Sequence, residues 1–335
     1  MFDISKCNLC GECFARCQYV DYDENEAIQQ ITALTEGKRS EILEACITCC
    51  ACNHYCPTGA NPFDLITETQ EKLGMRIADE EFYDLKAIEE FKNEIVKGDP
   101  GKPVMSLCVI EPWLPPEVLD SQMFEGMTLI KGSKYFAWMG ICHLGMITPI
   151  RENAQAFVDN LAELGAKEIV FIHADDYAML TEVVTGYGID VPFRVISIIE
   201  YLRDYLKENK HRITKLNKRI AYQRPCADRC APVDDTILNE LFELIGVERV
   251  SRKHDGEGGL CCGALFVKGR AEQVRKIRDM NLADAQEHGT EAMVFLCPVC
   301  LYALGEGAAE RGMAPIFITD ICKMALGEKV FPSTI

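Results

Sequence analysis

Eighteen cysteines among 335 residues are the feature of this sequence that most directly suggests chemistry. Nine of them fall within residues 7–56, and the other nine are spread over residues 108–322. Secreted disulfide scaffolds are shorter and richer in cysteine, whereas this chain is long, 48% apolar and shows no export signal at its start. The cysteines are therefore predicted to bind metal or to carry redox chemistry in a reducing compartment.

The N-terminal cysteines fall into two runs with the same spacing, C-x2-C-x2-C-x3-C. The runs comprise Cys7, Cys10, Cys13 and Cys17, then Cys46, Cys49, Cys52 and Cys56. In proteins with two cubane iron–sulfur clusters, three cysteines of such a run hold one cluster and the fourth holds the other. The predicted ligands are Cys7, Cys10, Cys13 and Cys56 for the first cluster, and Cys46, Cys49, Cys52 and Cys17 for the second. Thiolates suit this role because iron takes soft sulfur donors.

Zinc is the competing interpretation of these runs, but zinc sites usually use two separated C-x2-C pairs. Cys50 lies out of register with the second run and is predicted to be a packed or free thiol. Gln18 follows the first run, whereas Pro57 follows the second. That residue is not a ligand, so the departure leaves the predicted ligand sets unchanged.

The 28 residues between the runs carry apolar residues at helical spacing in 27–34 and 42–45. Compact bacterial ferredoxins place β-hairpins there instead. Residues 1–75 therefore resemble the α-helical ferredoxins found in succinate dehydrogenase and heterodisulfide reductase. The resemblance implies a ferredoxin domain with two cubane 4Fe–4S clusters.

A second pattern lies near the C-terminus, where 34 residues separate Cys226 from Cys261 and 34 more separate Cys262 from Cys297. The complete set comprises Cys226, Cys261, Cys262, Cys297 and Cys300. This pattern resembles the CCG domain of the heterodisulfide reductase catalytic subunit. It is similar also to iron–sulfur subunits of glycolate, lactate and glycerol-3-phosphate dehydrogenases. The resemblance implies a third, non-cubane 4Fe–4S cluster on all five cysteines, with four-ligand zinc or cubane binding as the alternative.

The positions of these cysteines relative to the predicted elements support their convergence. Cys226 follows a predicted strand and Cys297 ends another, and ligands gather at the carboxyl ends of parallel strands. Pro298 suits the first turn of a helix, which would place Cys300 where the helix dipole favours the thiolate form.

An internal repeat relates residues 165–173 to residues 289–297. The repeat implies an α/β region of two Rossmann-like CCG halves, of which the first is degenerate. In that half, His173-Ala-Asp-Asp176 stands where the second half has C-x2-C, and Cys142-His143-Leu144 stands at the CCG position. Three interpretations remain open: a vestigial structural half, a polar substrate or partner surface, or a zinc site. The zinc site would use Cys108, Cys142, His143 and His173.

Alternating strand and helix patterns beyond residue 101 predict parallel α/β units. The predicted strands are 104–110, 168–172, 193–197, 219–222, 293–296 and 315–318, and the predicted helices are 151–165, 198–208, 233–245 and 270–289. Apolar spacing in residues 79–97 predicts a connecting helix that ends at a break over 98–101. The expected division is a ferredoxin domain at 1–75, a helix and linker at 76–101, the degenerate repeat at 102–206 and the intact repeat at 207–335.

A formal charge of −17 disfavours nucleic acid and anionic membranes as partners. No apolar run is long enough for a membrane-spanning helix, and a cytoplasmic protein is expected, either free or held at a membrane by a partner subunit. No dinucleotide or P-loop motif is present, so electrons must come from or go to another subunit. We therefore expect an electron-transfer subunit in a larger hetero-oligomeric complex, with a flavoprotein dehydrogenase or electron-bifurcating flavoprotein as partner. The alternative is a catalytic disulfide reductase subunit that acts at the CCG cluster.

Overall fold

The computed structural model describes residues 1–230, 235–264 and 269–332. The predicted repeat at 207–335 therefore includes residues 231–234, 265–268 and 333–335, which lie outside the described residues. The same is true of the first two residues of the helix predicted at 233–245.

The first 72 residues contain helices and loops, without a strand among them. The helices are α1 (Glu12–Ala15), α2 (Glu24–Thr35), α3 (Ile42–Ala45), α4 (Ala51–Tyr55) and α5 (Pro62–Lys72). Helix α2 begins with a capping box, in which Asp23 accepts from the Glu26 N–H at 2.8 Å. Apolar residues of α1, α2, α3 and α5 pack into one small core. Helices therefore separate the two cysteine runs, as the spacing of the apolar residues in 27–34 and 42–45 predicted.

Residues 79–97 do not form the connecting helix that their apolar spacing predicted. The structure has a 3-10 turn at Glu80–Tyr83, a single helical turn α6 (Lys86–Glu89) and a strand β1 (Glu94–Val96). Strand β1 pairs antiparallel with a later strand, β3, so the first sheet begins before the predicted break at 98–101. The backbone hydrogen-bonding groups of residues 94–96 pair with a strand far along the chain. The apolar spacing of a short segment does not predict such long-range pairing.

The first half of the α/β region is a five-stranded sheet of order β1-β3-β2-β4-β5, parallel except for β1. Its remaining strands are β2 (Val104–Cys108), β3 (Thr128–Lys131), β4 (Glu168–Phe171) and β5 (Arg194–Ser197). Its helices are α7 (Thr148–Ala162), α8 (Ala174–Ala178), α9 (Val184–Gly186) and α10 (Ile198–Glu208), with a π-helical segment at Met179–Val183. The register places Ser106 opposite Phe171.

The second half is a four-stranded parallel sheet of order β7-β6-β8-β9. The strands are β6 (Lys218–Gln223), β7 (Val247–Arg249), β8 (Ala292–Phe295) and β9 (Ala314–Phe317). The helices are α11 (Asp235–Ile245), α12 (Ala271–Glu287), α13 (Pro298–Glu310) and α14 (Ile318–Ala325). The prediction of mixed α/β structure with parallel sheets is confirmed, although β1, β3 and β7 were not predicted.

Both halves contribute to one continuous apolar core, which contains residues of the central strands β2, β4, β6 and β8. Helix α10 of the first half packs against α11 and α14 of the second. The carboxyl ends of the strands therefore belong to a single packed unit. None of the described helices is both long enough and apolar enough to cross a bilayer.

Candidate metal centres

The two N-terminal cysteine runs adopt the same backbone conformation at equivalent positions. Leu9 and Thr48, each just before the second cysteine of its run, both have positive φ. Gly11 and Cys50, each just after that cysteine, also have positive φ. A Cβ on Gly11 would lie 2.7 Å from the Ile28 backbone nitrogen, so the first run requires glycine there. Each run therefore curls into a tight loop that ends in a short helix, α1 or α4.

The four predicted ligands of the first cluster lie together. Burial raises the pKa of the Cys13 thiol, and the neighbouring charges that raise it further are those of Cys56, Cys10 and Cys7. The Ala60 N–H donates to Cys56 Sγ at 3.3 Å. Partial burial opposes ionisation of Cys56, but hydrogen bonds from the following turn lower its pKa. This quartet therefore joins one complete C-x2-C-x2-C segment to the last cysteine of the other run.

The four predicted ligands of the second cluster also lie together. Burial raises the pKa of Cys52, and its charged neighbours include Cys46, Cys49 and Cys17. A cavity here is lined by apolar side chains and by all four thiols, Cys17, Cys46, Cys49 and Cys52. Burial also raises the pKa of Cys17, to about 11. Of the four cysteines, Cys49 is buried and the others are half-buried. Four thiolates this close together need a compensating cation, and thiols that coordinate a metal are deprotonated outright.

The spacing of the quartets suits a cluster of several irons better than a single ion. Four thiolates on one tetrahedral zinc lie about 3.8 Å apart, because each Zn–S bond is about 2.3 Å long. Within the part of the chain that the structure describes, neither quartet supplies three sulfur atoms within 4.8 Å of one another. The residues therefore fit the larger group.

The five cysteines of the CCG pattern converge on one site at the carboxyl ends of β6 and β8. Cys226 Sγ lies 3.7 Å from Cys261 Sγ. The Cys262 thiol contacts those of Cys261 and Cys300, and Cys300 in turn contacts Cys297. Cys261 and Cys262 are both buried in an irregular loop. This arrangement fits a metal cluster that draws on all five side chains.

Glycine and arginine shape the loop that carries the adjacent cysteines. Gly263 has φ +64°, and a Cβ there would lie 2.8 Å from Val274 Cγ1. Its N–H donates to Cys261 Sγ at 3.3 Å. Arg278 of helix α12 donates to the carbonyls of Cys262 and Gly263, at 2.9 and 3.0 Å. The loop is thus held in a conformation that turns both thiols inward.

Helix α13 begins at Pro298 with Cys297 as its N-cap, as the proline predicted. The expectation that Cys300 is the thiol favoured for ionisation is wrong. A hydrogen bond from the Cys300 thiol lowers the pKa of Cys297, whereas contacts with Cys262 and Cys297 raise the pKa of Cys300. Cys300 is buried, whereas Cys297 is partly exposed.

The second N-terminal quartet lies directly against the CCG loop. Cys49 and Cys261 belong to one apolar cluster. Burial raises the pKa of Cys49, and the charge of Cys261 raises it further. Tyr19 Oη accepts the Cys261 N–H at 2.8 Å. The buried Arg229 donates to the Cys49 carbonyl at 2.7 Å and also to the Gly259 carbonyl. Two of the predicted metal centres are therefore neighbours across a packed interface.

Gln18 follows the first cysteine run, at the position where Pro57 follows the second. It contributes to the same interface. Its side-chain amide donates to Tyr55 Oη and to the Gly258 carbonyl, both at 3.1 Å. Sequence reasoning assigned no role to Gln18, Tyr19 or Arg229, because nothing in their spacing relates them to residues about 240 and 180 positions away.

The zinc site predicted from Cys108, Cys142, His143 and His173 is wrong as a single site. The structure separates these residues into two groups. Cys142 and His143 lie with Cys50, whereas Cys108 and His173 lie with Asp176. Cys108 ends strand β2, and His173 follows the adjacent strand β4. Cys142 and His143 lie instead in a 3-10 helix that packs against the second cysteine run.

Cys50 is buried, as predicted, and its neighbours account for its strained backbone. Its thiol contacts Cys142 and Cys230, which lie in the first and second halves of the α/β region. His143 Nδ1 lies 2.7 Å from the Thr48 carbonyl. The thiols of Cys50, Cys142 and Cys230 thus connect the N-terminal region to both halves of the α/β region. Cys50 stands at the position in the second run where the first run has Gly11.

Comparison with known proteins agrees with this arrangement. Residues 220–305 match the Cysteine-rich domain family, CCG. The chain is 25% identical to a subunit of dihydromethanophenazine:CoB–CoM heterodisulfide reductase from Methanosarcina barkeri, over 84% of this chain and 76% of that protein. It is 23% identical to the Methanosarcina mazei protein of the same name, over 92% of this chain and 90% of that one.

Among solved structures, the following one shares the fold. It is a hypothetical protein from Helicobacter pylori, with a TM-score of 0.57 and 12% identity, covering 91% of this chain and 65% of that one. At this identity the likeness concerns the fold alone. The matched family model includes the strands β6, β7 and β8 and both the CCG loop and the C-x2-C helix start. Residues 220–305 therefore match the CCG cysteine-rich domain, within a chain that is similar over most of its length to this subunit of the methanogen heterodisulfide reductases.

Proposed function

We propose that this chain is an iron–sulfur electron-transfer subunit of a heterodisulfide-reductase-like oxidoreductase complex. It holds two cubane clusters in residues 1–75 and a third, non-cubane cluster on the CCG cysteines. It accepts electrons from a flavoprotein partner and delivers them at the CCG site. The name shared by the relatives, that of one subunit of a heterodisulfide reductase, supports both the chemistry and a hetero-oligomeric assembly.

The observation that carries this proposal is the contact between the second quartet and the CCG loop. Cys49 and Cys261 share one apolar cluster, and Tyr19 and Arg229 bridge the two loops. Iron–sulfur clusters, when bound, supply one-electron transfer at potentials set by charge, hydrogen bonds and solvent exposure. Close packing of the two loops is what an electron relay between two such sites requires.

The side chains around the two sites control that environment. The surrounding thiols raise the pKa of Arg229 although its burial opposes this, so its guanidinium remains charged between them. Its hydrogen bonds go to main-chain carbonyls, which fixes the separation of the loops. Residues Ile47, Leu260 and Ile277 belong to the same apolar cluster and surround the two loops with apolar side chains.

Removing the second quartet tests the relay. Cys49→Ala should lower the iron content by about four atoms per chain, since each cluster holds four. The CCG centre should then be reducible by a chemical reductant but no longer by the flavoprotein partner. Cys322→Ser is the matched control, because Cys322 is a fully buried thiol outside all the predicted ligand sets. Unchanged reduction of the CCG centre by the partner in Cys49→Ala would refute the relay, as would stoichiometric zinc with no sulfide.

Catalytic disulfide reduction at the CCG site is the second candidate function. It is favoured by the partial exposure of Cys226 and Cys297, which leaves the site open to a small substrate. It is weakened by the first half, which lacks the second set of five thiols that a facing cluster would need. Disulfide turnover by the isolated chain at the rate of the whole complex, lost in Cys297→Ser, would establish this function in place of the carrier role.

A further inference from the structure

Three different metal-donor side chains meet at the carboxyl ends of β2 and β4, outside every predicted cluster. Cys108 Sγ lies 3.5 Å from His173 Nδ1. Asp176 Oδ1 lies 3.5 Å from the same ring nitrogen. The ligand atoms of all three residues lie within 4.8 Å of one another. Sulfur, nitrogen and oxygen donors thus surround a single point.

Hydrogen bonding alone accounts poorly for this arrangement. One ring nitrogen carries at most one hydrogen or one lone pair, yet a sulfur and an oxygen both face His173 Nδ1. The N–O separation of 3.5 Å is longer than an ordinary hydrogen bond. It is closer to the separation of about 3.3 Å expected for nitrogen and oxygen ligands at tetrahedral positions on one zinc ion.

Asp176 supplies a second, independent observation. Its side chain is fully buried, and Oδ1 accepts the Ala137 N–H at 3.0 Å. Oδ2 has no hydrogen-bond partner in the described part of the chain. A buried carboxylate oxygen without a partner is costly unless a cation or donor lies beside it. A metal ion at the centre of the three side chains would supply that charge.

The opposite edge of the histidine ring carries the expected outer partner. Asp175 Oδ2 lies 3.5 Å from His173 Nε2. Histidines that bind metal usually direct their other nitrogen towards a carboxylate or carbonyl, which fixes the tautomer and ring orientation. The His173 side chain is 12% exposed, so an ion and a further small ligand can reach it.

The site corresponds to the CCG site in the other half of the fold. Cys108 ends β2, as Cys226 follows β6, its counterpart in the second sheet. His173 is the N-cap of α8 and Cys297 is the N-cap of α13, each two residues after its strand. Asp176 then occupies the position of Cys300. The degenerate half has therefore exchanged donor types at positions that still converge.

We propose that Cys108, His173 and Asp176 bind one zinc ion. Thiolate, imidazole and carboxylate are the three donor types that zinc takes in proteins, and three protein ligands leave a fourth position for water or a thiol. The proposal does not depend on which cluster the CCG cysteines hold.

The test is zinc content and zinc K-edge absorption of the full chain, purified anaerobically with its partners. We expect about one zinc per chain, with one sulfur at about 2.3 Å and nitrogen or oxygen ligands at about 2.0–2.1 Å. His173→Gln and Asp176→Asn should each lower the zinc content at least tenfold while leaving the iron content unchanged. His254→Gln is the matched control, because His254 is also a buried histidine but lies outside the site.

Other outcomes would overturn the proposal. Protein with its full iron content that binds no added zinc would show that His173 is an ion-paired histidine only. A spectrum with two or more sulfur ligands would place the zinc elsewhere, at Cys50, Cys142 and His143 or on the CCG cysteines. Because the spectrum is recorded on the wild-type chain, the test stands even if a variant fails to fold. Wild-type protein that holds one zinc but no iron would count against the proposed function and not against this site.

Discussion

The two halves of the α/β region share a strand order but differ in the side chains at the ends of their strands. Strands β3-β2-β4-β5 of the first sheet correspond to β7-β6-β8-β9 of the second. At the matching carboxyl ends, the second half gathers five thiols, whereas the first half gathers one thiol, one imidazole and one carboxylate. The two halves place these residues at equivalent backbone positions but differ in the donor side chains that stand there.

This difference separates what a parallel sheet provides from what its side chains decide. Parallel strands bring their carboxyl ends to one edge, whatever residues follow them. Donor chemistry then selects the metal, because soft thiolates favour iron–sulfur clusters and a mixed set suits a single zinc ion. A half that has lost its cysteines is therefore not necessarily vestigial.

Removing one CCG ligand should have the largest effect. Cys262→Ser or Cys297→Ser should abolish the EPR signal of the third cluster and lower the iron from about twelve to about eight atoms per chain. Both cubane signals should remain, because their ligands all lie within residues 7–56. Cys322→Ser should leave every signal intact. Loss of the cubane signals in Cys297→Ser would show that the two regions do not bind their clusters independently.

Restoring thiols to the first half should convert its site towards that of the second. In the double variant His173→Cys with Asp176→Cys, we expect the sulfur ligands of the zinc to increase from one to three. The converging positions already exist, and only the donor atoms change. Zinc K-edge absorption measures the sulfur count directly. An unchanged count would mean that the first-half positions do not converge on a metal.

The second half also contains a buried ion pair beneath its CCG loop. Arg252, whose side chain is fully buried, donates to Asp284 at 3.1 Å. Asp284→Asn should lower the free energy of unfolding by about 3 kcal/mol, because it leaves the guanidinium without its counter-charge. Glu168→Gln is the control in the first half, since the Arg194–Glu168 pair is exposed and should change stability by less than about 0.5 kcal/mol.

The pH dependence of that variant follows from the sign of the shift. Burial opposes ionisation of Asp284, but the hydrogen bonds from His254 and Arg252 hold its pKa below the usual 3.8. The stabilisation is therefore complete above about pH 4 and is lost only as the pH falls through the lowered pKa. Urea unfolding of the wild type and Asp284→Asn should differ by the same amount at pH 8 and pH 5. A difference that shrinks in this range would contradict the lowered pKa.

Gly263→Ala should have the smallest effect of the series. The substitution meets both the strain of φ +64° and a contact of 2.8 Å with Val274, so we expect about 2 kcal/mol of destabilisation. Gly312→Ala, at φ +76° with no atom within 4 Å, isolates the backbone strain and should lose about 1 kcal/mol. Urea unfolding measures both. Equal losses of stability in the two variants would show that the contact with Val274 adds no cost beyond the backbone strain.

Local sequence patterns predicted much of the fold. Helix α10 occupies the predicted residues 198–208, and six of the strands lie within two residues of their predicted bounds. These elements have strong apolar periodicity or buried apolar runs, which depend only on neighbouring residues. Strands β1, β3 and β7 have three or four residues each and lie beside or at the edge of a sheet. Their pairing is decided by distant partners, so local patterns missed them.

The sequence alone determined which cysteines form runs, because cluster ligands that lie close along the chain leave a fixed spacing. It also located the five CCG cysteines through the family resemblance. Only the tertiary structure separated Cys108 and His173 from Cys142 and His143, added Asp176, and brought Arg229 against Cys49. Contacts of this kind join elements far apart in the chain, and they depend on how sheets and helices pack. No periodicity along the sequence encodes that packing.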